Sequence, residues 1–132
     1  MNKLPAEIIT IKTSGDISLL TLICEGESFS SIIINNHEEY IHEGNLVYMV
    51  FKETEVSIGK DLIGGLSIRN RFSSVIEHIE SGSLLSEIRL HYKGHHITSI
   101  ITTQSCESLN LQVSDKVEGL LKTTELLIMK YE

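Results

Sequence analysis

The chain has 132 residues and a formal net charge of −7; its residues are 41% apolar, with no Trp, three Phe and four Tyr. The negative charge argues against general binding to a nucleic-acid phosphate backbone, and the chain lacks the charged start and apolar run of a signal peptide or membrane anchor. Cys24 and Cys106 have no neighbouring cysteine, so neither a disulfide nor a zinc site is expected and a reducing cytoplasm fits.

The apolar residues are mostly Ile, Leu and Val, a bias that favours strands. In the first half the pattern predicts strands near Lys3–Lys12, Ile17–Cys24, Ser28–Ile34, Leu46–Lys52 and Glu55–Ile58, with turns at Ser14-Gly15-Asp16 and Glu25-Gly26. The stretch Gly59–Leu66 carries three of the nine glycines and reads as a flexible connector. In the second half, Arg71–Glu80 is an extended run ending at the turn signal Ser81-Gly82-Ser83. Leu84–Tyr92 alternates apolar and polar residues, as a half-buried strand does. Lys93-Gly94 is a tight turn, and His95–Thr103 returns as the second strand of a hairpin. Ser105–Leu111 predicts one helical turn capped by Ser105. Lys116–Lys122 and Glu125–Lys130 complete the half as two more strands.

The halves repeat each other. Laying each residue over the one 68 positions later pairs Asn2 with Asn70, Leu4 with Phe72, Ile8 with Ile76, Leu22 with Leu90 and Gly26 with Gly94. A two-residue slip then pairs Val47 with Val117, Lys52 with Lys122 and Ile58 with Ile128. Agreement in register over the whole length marks two copies of one small fold. The expected fold is all-β: two tandem OB-like five-stranded small barrels, each with a short helical turn between strands three and four. The first repeat spans 1–58, the connector 59–66 and the second repeat 67–132. Units this small sit near the lower limit for an independent core, so they are expected to pack on each other or on other subunits.

An anion site needs several donors converging on one point. The second half offers them in three segments: Ser67-Ile68-Arg69-Asn70 before its first strand, Thr102-Thr103-Gln104-Ser105 at the start of the helical turn, and Lys122-Thr123 after the fourth strand. Arg69 supplies a planar fork, Lys122 a point charge, and Ser67, Thr102, Ser105 and Thr123 hydroxyls. Other groupings are poorer. His91, His95 and His96 flank a hairpin turn, where solvated residues are the simpler account, and no Gly-x-Ser-x-Gly elbow or other nucleophile signature occurs. An enzyme is not expected.

Ser-x-Arg-Asn before a strand, Ile-Thr-x-x-Ser before a short helix with Leu-x-Leu, and a late Leu-Leu-Lys-Thr resemble the molbindins, the molybdenum-pterin-binding (Mop, or TOBE) family. The resemblance covers Ser67–Met129 well and the first half more loosely; two copies in one short chain are similar to a di-Mop protein. It implies molybdate or tungstate as the bound ligand, held as the intact oxyanion, with no organic cofactor. Carried over by position, the ligands would be Ser67, Ile68 (backbone N–H), Arg69 with the neighbouring Asn70, Thr102, Ser105, Cys106 (backbone N–H), Lys122 and Thr123. The family motif has Ala where this chain has Ile68. In the first repeat Ile34 stands for Thr102, His37 for Ser105 and Glu53 for Thr123, so only a weaker second site through Asn2, Lys3 and Lys52 is expected. The resemblance further implies a homo-oligomer, dimer or trimer, with sites shared between subunits. The role it suggests is cytoplasmic storage or homeostasis of the oxyanion for molybdenum cofactor synthesis; the alternative is a molybdate-sensing module acting on a separate transcription or transporter partner. A nucleic-acid-binding OB fold is disfavoured, since such a groove wants stacked aromatics and basic residues.

Overall fold

Strict alternation drives the strands. Leu4, Ala6 and Ile8 are buried while Lys3, Pro5 and Glu7 between them face outward, and Ser86, Ile88, Leu90 and Tyr92 repeat the pattern. The computed structural model describes all residues 1–132. In chain order the strands are β1 (Asn2–Ser14), β2 (Ile17–Cys24), β3 (Glu27–Ile34), β4 (Leu46–Phe51), β5 (Ser57–Gly59), β6 (Asn70–Ser81), β7 (Leu85–Tyr92), β8 (His95–Thr102), β9 (Lys116–Leu121) and β10 (Leu127–Lys130). One helix, α1 (Thr103–Ser108), lies between β8 and β9, and 3-10 turns at Glu53–Glu55 and Thr123–Glu125 follow β4 and β9. No helix is long and apolar enough to cross a membrane.

The strands form two five-stranded antiparallel sheets, ordered β10-β4-β1-β2-β3 and β5-β9-β6-β7-β8. Their last strands are exchanged. Leu127–Lys130 pairs with Val47–Val50 of the first repeat, and Ser57–Gly59 pairs with Glu118–Leu120 of the second. Each sheet is therefore finished by a segment from the other half. No ladder of backbone hydrogen bonds closes either sheet, but its end strands lie beside each other, β10 by β3 in one and β5 by β8 in the other, so the sheets curl as the expected small barrels do.

The halves share one core of 23 buried residues. At its centre Phe72 of β6 stacks between Phe29 of β3 and Phe51 of β4, with ring centroids 4.6 and 5.4 Å away, and Tyr92 of β7 meets it edge-on at 5.2 Å. Paired polar anchors fasten the halves around that stack. The Asn70 side chain accepts from the Ser30 N–H at 2.7 Å and donates to its carbonyl at 2.9 Å; Asn2 makes the same pair of bonds with Thr98, both at 2.8 Å. Ser31 donates to the Leu126 carbonyl, and its counterpart Ser99 donates to that of Val56.

The expected helical turn occurs only in the second half. In the first, Ile34 stands where Thr102 caps α1, so no hydroxyl can receive the first amides, and Asn35 adopts a positive φ of 52° that ends the strand. Residues 35–45 are irregular instead. Within the second half the cap is Thr102 and not Ser105: the Thr102 hydroxyl accepts from the Ser105 N–H at 3.1 Å, so the cap lies three residues earlier than the pattern suggested.

Candidate functional site

Strand register brings two of the three donor segments together. Asn70 heads β6 and pairs with Leu121, the end of β9. The residues leaving the sheet there, Ser67–Arg69 on one strand and Lys122–Thr123 on the other, are therefore neighbours. Ser67, Ile68, Lys122, Thr123 and Thr124 line a small cavity of about 150 Å³. Arg69, adjacent in sequence, and Lys122 are exposed, and neither takes part in any of the chain's ion pairs. Two cations at one sheet end without a carboxylate partner leave local donors free for an anion in a protein of net negative charge.

The third segment lies elsewhere. Thr102 pairs with Leu85, and the adjacent Ser86 pairs with Ser81, the last residue of β6. Thr102–Cys106 thus sits by the end of β6 opposite Asn70. The Thr102 hydroxyl donates to the Ser105 hydroxyl at 2.9 Å besides capping α1, and Cys106 is buried beneath the helix. Within one chain, then, Ser67–Arg69 meets Lys122–Thr123, whereas Thr102, Ser105 and Cys106 stand apart from both. Thr102→Ala removes the cap from α1 and is expected to lower stability by about 1 kcal/mol, a fall of roughly 4 °C in a thermal melt for a chain of this size.

Asn70 has a different job from its neighbours in the motif. It is fully buried, and its amide is committed to Ser30 across the two halves, so it anchors the loop's exit into β6 and is not a free donor. The recurrence of Asn at position 2 was the signal for this role, because a fastener is needed in both copies and an anion ligand is not.

In the first half the corresponding groups are diverted. Asn2 is spent on Thr98, and the Lys3 ammonium lies 4.1 Å over the Tyr48 ring. Glu53, in the place of Thr123, accepts from the Met1 α-ammonium at 2.7 Å, and that hydrogen bond holds its carboxyl below its ordinary value. Lys52 is exposed beside this carboxylate. Asn2 and Lys3 are thus engaged elsewhere in the fold.

A larger groove of about 530 Å³ crosses the outer face of the second sheet, lined among others by Asp61, Leu62, His91, Lys116 and Glu118. Its lining mixes both signs, and Glu118 is already engaged by Arg71, whose Nε donates at 3.0 Å. His96 pairs with Glu77 and His95 with Glu25, and no group of three His, Cys, Asp or Glu side chains is placed to hold a metal ion.

Residues 66–128, from just before Ser67 to Ile128 in β10, match the TOBE domain family. The second half of the chain is a TOBE domain. All three donor segments fall inside it, and α1 is its single helix. No curated protein matches the chain by sequence. Among solved structures, a crystal form of the cytoplasmic molybdate-binding protein ModG with molybdate bound is similar over 98% of this chain and 96% of its own, with a TM-score of 0.92 and 19% identity. That likeness is one of fold, and it extends beyond the TOBE domain to both halves.

Proposed function

We propose that the chain binds molybdate or tungstate as the intact oxyanion, without chemistry, and serves to store or buffer it in the cytoplasm. The observation that carries this reading is the cluster of Ser67, Ile68, Lys122 and Thr123 at one end of the second sheet, with Arg69 next in the chain and both cations unpaired. A TOBE domain in the same residues and a fold shared with a molybdate-binding protein support it. A dianion taken out of water must have its oxygens hydrogen-bonded, and two segments alone supply few donors. Thr102, Ser105 and the Cys106 N–H complete the set when they come from a second subunit, since β6 keeps them from the cavity within one chain. The working form is accordingly a dimer or trimer with sites between subunits. The first half contributes weakly or not at all, because Glu53 repels an anion where Thr123 attracts one.

Titration calorimetry of the metal-free protein with molybdate, tungstate and sulfate tests the proposal. Saturable heat with the first two, at no more than one anion per chain, is expected. No heat with either would overturn it, as would a monomer by light scattering in the presence of the bound anion.

A further inference from the structure

The hairpin tip between β2 and β3, Cys24–Glu27, and the tip between β7 and β8, Tyr92–His95, are equivalent by the repeat and meet each other across the pseudo-twofold relation. Their backbones match: Glu25 and Lys93 both take positive φ, at 50° and 43°, followed by Gly26 and Gly94. Their side chains are complementary position by position, the Glu25 carboxylate against the Lys93 ammonium and the Glu27 carboxylate against the His95 imidazole. The contacts cross reciprocally. His95 Nε2 lies 3.0 Å from Glu25 Oε1, Lys93 Nζ lies 3.4 Å from Glu27 Oε1, and Lys93 also donates to the Glu25 carbonyl at 3.4 Å. The Tyr92 hydroxyl donates to the Glu27 carboxylate, tying that side chain to the aromatic stack.

The aromatic stack is one-sided, since Leu4, Ile97 and Leu121 are the repeat equivalents of Phe72, Phe29 and Phe51, but the polar fasteners and the exchanged strands cannot tell one half from the other. Asn2 and Asn70 make the same pair of backbone bonds, Ser31 and Ser99 make the same bond, and the fifth strands exchange in the same way. By those devices alone a first half could clasp another first half. We infer that the hairpin tips are a pairing code: a first half accepts only a second half, its own or that of another copy of this chain. Two first halves would bring four carboxylates together; two second halves would bring two lysines and two histidines together. Exposed ion pairs attract weakly, whereas like charges set directly opposite are repelled, so the code works chiefly by rejecting the wrong partner. The inference is independent of anion binding.

The test uses the full chain at low salt, where surface charge is least screened. Because Glu27 also holds Tyr92, the stability measurement uses only the Glu25–His95 pair. Glu25→Lys and His95→Glu are each expected to lower the thermal midpoint by about 3 °C, and the double exchange to recover most of it. For partner choice, an all-basic chain (E25K/E27K) and an all-acidic chain (K93E/H95E) are unfolded together and refolded as an equimolar mixture. Native mass spectrometry is expected to find complexes holding one chain of each kind. A double exchange no more stable than the single variants, or like and unlike chains paired in statistical proportion, would overturn the inference.

Discussion

Replacing Arg69 with Ala will weaken molybdate binding by about 10- to 100-fold while leaving the thermal midpoint where it was. The first half of that expectation follows from the worth of a charge-assisted hydrogen bond to a desolvated anion, about 1.5–3 kcal/mol. The second follows from the structure, in which Arg69 is exposed and makes no ion pair, so the fold loses nothing when it goes. Arg69→Lys should retain part of the affinity, since it keeps the charge and loses the planar fork. Arg71→Ala is the control: its guanidinium is engaged by Glu118, and its removal should leave the anion affinity nearly unchanged. Calorimetric affinities for the three variants decide the matter. An Arg69→Ala protein that binds as tightly as the native chain removes this residue from the site.

Asn70→Ala is expected to do the opposite kind of damage. Truncation strands the Ser30 N–H and carbonyl at the junction of the halves, and two unsatisfied groups in a partly buried place cost about 2–4 kcal/mol. For 132 residues that is a fall of about 10 °C in the melting midpoint. Asn2→Ala should cost a similar amount, because Asn2 makes the same two bonds to Thr98. Matching losses in the two variants identify a structural pair. If Asn70→Ala instead melted like the native protein and lost only anion affinity, the asparagine would belong with Arg69 as a ligand.

The two substitutions separate residues that sit side by side in one motif, and the repeat itself is what distinguishes them. Asn70 recurs as Asn2, whereas Arg69 and Thr123 do not recur. Lys122 recurs as Lys52, so the comparison separates Asn70 from Arg69 and Thr123 and does not by itself assign Lys122. The same comparison applied to Glu25 and Glu27 against Lys93 and His95 would have revealed the charge opposition at the hairpin tips. It would not have shown that the tips touch.

Strand positions were legible because alternation of period two leaves little choice about which residues face a core. Ile17–Cys24 has the bounds its pattern predicts, and the hairpin at Lys93-Gly94 turns where its residues allow a positive φ. The helical turn was half legible. Its sequence signature in the second copy was extended to the first by analogy, and there Ile34 cannot replace the oxygen of Thr102 as a cap. The three donor segments could be found in the chain by residue type, but their mutual placement could not. That Ser67–Arg69 meets Lys122–Thr123, and that Thr102 lies at the far end of β6, follows from register across three strand pairs.

By itself, then, the amino-acid sequence determined a duplicated all-β chain, the bounds of most strands and three segments rich in hydrogen-bond donors, because these are consequences of local periodicity and side-chain chemistry. Only the tertiary structure decided that β5 and β10 cross to the opposite halves, that Asn2 and Asn70 are fasteners, and that the oppositely charged tips meet. The physical reason is the same for all three. A strand's pattern says which face it buries, but its hydrogen-bonding edges are chemically alike, so the partner it takes is settled by the packing of the whole shared core.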